Sequence, residues 1–157
     1  MKAASIAELR KSLIRFDQGD LLEACLRLAR FKKDNKELLT YLLFLSQDEP
    51  RFISGLCEEI DEQFLLTPNA QKKTLRRIIR WMEKWLRFSG VNETEIEVRL
   101  HFCHALRSSD TPFRSNRVMT NMYEGQLKKI GKAVSKLHED ARSEYQAELG
   151  ALGGSMV

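Results

Sequence analysis

The chain has 157 residues, of which 43% are hydrophobic and 31% charged, with three prolines, eight glycines and a formal net charge of +4 at pH 7. That length suits one domain with an appendage, and the composition excludes a disordered or fibrous protein. Cys25, Cys57 and Cys103 are odd in number, far apart and without a C-x-x-C pair, which argues against a disulfide framework or thiolate zinc site and points to three buried thiols.

The opening, MKAASIAELRKSL, sets Glu8, Arg10 and Lys11 where a signal peptide needs an unbroken apolar core, so no secretory address is expected and cytoplasm is the expected compartment. Helix starts are marked by a short polar residue with Glu three positions on: Ser5 with Glu8, Asp20 with Glu23, Asp34 with Glu37 and Asn92 with Glu95. Thr67 precedes Pro68, a residue suited to a first helical position, while Gly19 separates the first two helices and Gly90 closes the long basic one. These signals predict helices over 5–17, 20–33, 34–46, 49–65, 68–89 and 92–108, and a last long one within 116–149.

The longest uncharged run before the tail, Leu38 to Gln47, has ten residues, half of the roughly 20 that a membrane span needs. Within it LLTYLLFL, 38–45, is apolar nearly all round, which predicts a central helix covered on more than one side. EIEVRLHF, 95–102, alternates polar and apolar like a half-buried strand. Without a second alternating run to supply ladder bonds a helix is preferred there, and the strand stays open as the alternative. The expected fold is all-α: an irregular helical bundle or a short stack of antiparallel helical hairpins of the HEAT or armadillo kind, with a C-terminal helical arm. Residues 1–109 would form the core, 110–149 the arm and 150–157 a disordered, glycine-rich tail.

KKDNKELLTYLLF, IDEQF and the basic helix together resemble an uncharacterised all-helical family of bacterial proteins over residues 30–107. The resemblance implies helix packing alone and brings no activity, cofactor or site residue.

KKTLRRIIRWMEKWLRF, 72–88, holds seven Lys and Arg in seventeen residues. At 3.6 residues per turn Lys72, Lys73, Arg76, Arg77, Arg80, Lys84 and Arg87 share an arc of about 140°, with Leu75, Ile78, Ile79, Met82, Trp85 and Leu86 opposite and Trp81 and Phe88 at the margin. Such a face is either an ordinary solvated surface or a site for an acidic partner, a nucleic acid or an anionic membrane surface. The preceding segment, 48–66, carries six acids against Arg51, so an antiparallel hairpin would set Glu58 near Arg76 and Glu62 near Lys72. That pairing would leave Arg80, Lys84 and Arg87, beside Trp81 and Phe88, as the binding patch, with Lys72 and Arg76 as lesser members.

Glu97, His101 and His104 fall on one stripe at i, i+4 and i+7, weak candidates for a metal, though the alternative is a polar stripe in which His101 pairs with Glu97. A metal-dependent enzyme on these residues is the least favoured function, and no cofactor is expected because no catalytic or phosphate-binding motif is present. In the arm, Met119, Tyr123, Leu127, Ile130, Val134, Leu137, Ala141 and Tyr145 approach a heptad seam, which could dock on the core or join a second copy as a homodimer through 116–149. Lys128, Lys129, Lys132 and Lys136 form a second positive cluster. The last three residues fit a loose pattern for capture of a chain end. The expected function is therefore a non-enzymatic protein-interaction (adaptor or scaffold) module, with nucleic-acid or anionic-surface binding as the alternative.

Overall fold

A computed structural model describes residues 1–154; the capture pattern at 155–157 lies outside them. Among the described residues there are eight α-helices and no strand, and none of the helices is long and apolar enough to cross a membrane. The chain divides into two compact units at residues 44 and 45, not at 109 and 110.

The first unit holds α1 (Ile6–Leu13), α2 (Gln18–Phe31), α3 (Lys33–Thr40) and most of a π-helical turn, Tyr41–Leu45. Ser5 and Glu8 form the expected reciprocal cap. Asp20 does not cap α2; Asp17 does, accepting from the Asp20 amide at 2.8 Å, and α3 begins after Lys32 with no side-chain cap. The run 38–45 is not the covered centre of the molecule: Tyr41 is buried, but Leu42, Leu43 and Phe44 are exposed.

The second unit begins with α4 (Glu49–Leu66), α5 (Lys72–Ser89), α6 (Asn92–Ser108) and α7 (Arg117–Val134), and ends with α8 (Glu139–Ala151). Contacts fix their directions. Ser89 meets Glu49 at 3.1 Å and Arg77 meets Gln63 at 3.0 Å, so α4 and α5 run antiparallel. Asn92 donates to the Ala133 carbonyl and Arg99 to Gln126, so α6 and α7 do the same. Thr94 reaches Glu49 at 2.6 Å while Phe102 packs on Phe64 at 5.9 Å, which lays α6 parallel to α4.

The centre is α6. Thr94, Ile96, Val98, Arg99, Leu100, Phe102, Cys103 and Leu106 are all buried, so the helix is covered on several sides by α4, α5 and α7, with polar contacts to α8. That explains the strand-like alternation of 95–102: a helix enclosed from several directions has no single apolar stripe, and a short stretch of it can alternate by chance. Asn92 is not its cap, because its amide is drawn to Ala133.

Two boundaries depart from expectation for a visible reason. Thr67 bonds back to the Gln63 carbonyl and closes α4, and the 68–70 backbone is held by buried Thr111, which accepts from the Ala70 amide and donates to the Pro68 carbonyl. Hence α5 starts at Lys72, not Pro68. The arm is two helices, because Arg142 donates to the Ser135 and Leu137 carbonyls and satisfies the end of α7. Met119, Tyr123, Leu127, Ile130, Val134 and Leu137 are buried within the chain, so this part of the seam is already covered and not open to a second copy. Of the tail expected to be disordered, the described residues 150–154 are ordered in part: Gly150 and Ala151 complete α8 and Leu152 is buried, its carbonyl accepting from Tyr123 at 2.9 Å.

Phe102→Ala empties a site with 0% exposure and is expected to cost about 3–5 kcal/mol. Val118→Ala, on the outside of α7, should stay within about 0.5 kcal/mol. Urea denaturation midpoints compare the two.

Candidate functional site

The α5 helix buries Leu75, Ile78, Met82 and Leu86 and leaves Lys72, Lys73, Arg76, Arg77, Arg80 and Arg87 exposed, with Lys84 half-buried. The two expected pairs across the α4–α5 hairpin do not form: among the described residues Glu58 and Glu62 make no ion pair with Lys72 or Arg76. The packing explains this, since the last turns of α4 turn Asp61 to His101 of α6 at 2.8 Å and offer α5 the neutral Gln63. Nor do the aromatics lie open beside the stripe. Trp81 and Phe88 are half-buried, and Trp85 is wedged between Phe52 at 6.1 Å and Phe88 at 5.3 Å.

The neighbour of α5 on its other side is α7, running parallel to it. The starts of both helices line one hollow, where Lys72, Lys73 and Arg76 meet Asn116 and Met119, and about three turns on Glu83 bonds Lys129. Because both helices lean on the α6 core, the arcs they turn away from it lie side by side. Lys128, Lys129, Lys132 and Lys136 are exposed on α7, so the two positive clusters lie on adjacent helices. Successive cations recur about every 5.4 Å along each helix, inside a Debye length of roughly 8–10 Å, and their fields add.

The seam is held by residues that sequence reasoning passed over. Arg99 is 5% exposed; it bonds Glu95 of its own helix at 3.0 Å and Gln126 of α7 at 2.5 Å, and lies 3.5 Å from Glu83 of α5. Glu83 thus sits between Arg99 and Lys129. Burial works to raise its carboxyl pKa, but the bond to Lys129 and the charges of Lys129 and Arg99 outweigh burial and hold it below the ordinary 4.5. The available signal was the i, i+4 pair of Glu95 and Arg99 within the alternating segment 95–102.

Glu97, His101 and His104 do not converge. Tyr145 donates to Glu97 at 3.2 Å, His101 pairs with Asp61 and not with Glu97, and His104 pairs with Glu148 of α8 at 2.9 Å. Each side chain is aimed at a different partner, and no three His, Cys, Asp or Glu among the described residues could hold a metal. Burial first, and then the Glu97 carboxylate, push the Tyr145 phenol up to about 12, which keeps it a donor. The thiols differ from expectation: Cys103 is buried, Cys57 half-buried and Cys25 exposed. Comparison with protein-family models, curated proteins and solved structures gave no match.

A group whose folded pKa is depressed contributes stability that is present above its unfolded pKa and lost as pH falls through the folded value. The stability difference between the native chain and Glu83→Gln should therefore be largest at neutral pH and fade as pH drops below 4.5, read by urea titration at a series of pH values. Burial raises Cys57 to about 11 and Cys103 to about 12, so a maleimide at neutral pH should label Cys25 alone, counted by intact mass before and after denaturation.

Proposed function

We propose that the protein is a non-enzymatic interaction module that holds an acidic segment of a partner protein along the strip formed by α5 and α7. One observation carries the reading: Lys72, Lys73, Arg76, Arg80 and Arg87 are exposed on α5 and Lys128, Lys132 and Lys136 on the adjacent α7, while Glu83, the acid at the seam, is already taken by Lys129 and Arg99. A strip of this kind attracts an extended polyanion and confers register through spacing more than through any single contact. An anionic membrane surface suits it less well. An interfacial helix must insert its apolar face, and that of α5 is spent in the core.

A second reading, binding of the nucleic-acid backbone, draws on the same strip, since phosphate contacts ask only for placed cations. The packing of Trp85 and Phe88 counts against single strands, for which stacking aromatics are the usual platform.

Fluorescence anisotropy with a labelled glutamate-rich peptide and a labelled DNA duplex, each at low and physiological salt, separates the readings. The peptide is expected to bind more tightly than the duplex at physiological salt, and Arg80→Glu with Lys128→Glu should weaken it by at least about tenfold, or 1.4 kcal/mol. Tighter duplex binding that collapses with salt would transfer the strip to nucleic acid, and an unchanged peptide affinity in the double variant would remove the strip from function.

A further inference from the structure

The N-terminal unit carries a separate surface that owes nothing to the strip. No residue of α1, α2 or α3 is buried, although these helices are rich in leucine. Between α2 and α3 runs an open groove of about 930 Å³, at the upper end of the roughly 300–1,000 Å³ typical of binding clefts. Leu26, Leu39, Leu43 and Phe44 give it an apolar lining, and Arg30, Lys33 and Lys36 stand around it. Glu37, the acid of the lining, lies 3.6 Å from Lys33, so Arg30 and Lys36 set the sign of the rim.

The backbone shapes this groove. The chain leaves α3 through the π-helical turn Tyr41–Leu45, which fits an additional residue into the turn and alters which side chains face outward. Leu43 is 54% and Phe44 74% exposed at the mouth. Two large apolar side chains held in water next to a cationic rim are poorly accommodated by solvent alone and well accommodated by a complementary ligand.

We infer that this groove receives an amphipathic helix of a partner protein whose apolar stripe is flanked by acidic residues. The walls are helices with their backbone groups already bonded, so an extended peptide finds no strand edge to pair with, whereas a helix can insert anchors at i, i+3, i+4 and i+7. The acidic flanks follow from charge complementarity with Arg30 and Lys36. The same rim argues against a second copy, since a two-fold contact groove to groove would set those cations against their own equivalents.

The probe is a labelled helical peptide with leucine at those four spacings and glutamate on both flanks, titrated into the full chain by anisotropy beside a twin with lysine in place of glutamate. The glutamate peptide is expected to bind at least about tenfold more tightly than its twin, a difference of 1.4 kcal/mol. Leu43→Glu, at an exposed position that should leave folding intact by circular dichroism, should cost a similar factor, and Lys36→Glu should erase the preference for acidic flanks. Arg80→Glu, on the strip of the other unit, should leave peptide affinity unchanged. If Arg80→Glu abolishes binding and Leu43→Glu does not, the peptide lies on the strip and the groove inference fails while the strip reading stands. Equal binding of the two peptides, no binding, or a dimer by light scattering that Leu43→Glu dissociates would each overturn it.

Discussion

The guanidinium of Arg99, enclosed among α5, α6 and α7, sets the arrangement on which the second unit depends. A buried arginine is tolerated only when its donors are met and its charge is balanced, and here one carboxylate comes from its own helix, another from α5 and an amide oxygen from α7. That requirement draws two strongly basic helices together. Without Glu83 at their seam, the exposed lysines of α7 and the arginines of α5 would repel one another. With it, Lys129 and Arg99 share a single acid, and most of the remaining cations of both helices are exposed.

The polar pairs around α6 have the same logic. His101 joins α4 through Asp61, while Glu97 and His104 join α8 through Tyr145 and Glu148. Each is a partly exposed link from the central helix to a different neighbour, and exposed pairs of this sort add little stability while favouring one register over others. Three residues whose spacing invites a metal are thereby committed to three separate contacts. The apolar interior made by Ile60, Leu75, Met82, Ile96, Phe102 and Ile130 supplies the main stabilisation.

The two units treat apolar surface in opposite ways. In the second, most leucines and phenylalanines are enclosed, Leu65 and Leu66 at the end of α4 being exposed exceptions. In the first, Ile6, Ile14, Leu28, Phe31 and Phe44 are all more than half exposed. A helical segment this short has too little interior to enclose its own side chains.

The helical class, the amphipathic division of α5, its glycine end at Gly90 and the cap at Ser5 could be read from the sequence, because periodicity and capping are local properties of a few neighbouring residues. So could the burial of the α7 seam and the positive cluster at Lys128, Lys129 and Lys132. What each face meets was beyond such a reading. That α4 turns Asp61 to α6 and leaves the α5 cations exposed, that α6 and not 38–45 is the enclosed helix, that Thr111 delays the start of α5 and that Arg142 ends α7 all depend on residues tens of positions apart or on a competition between neighbouring helices. Local spacing sets which side of a helix is apolar, but only packing in three dimensions selects the neighbour that covers it, because several helices in this chain could have done so.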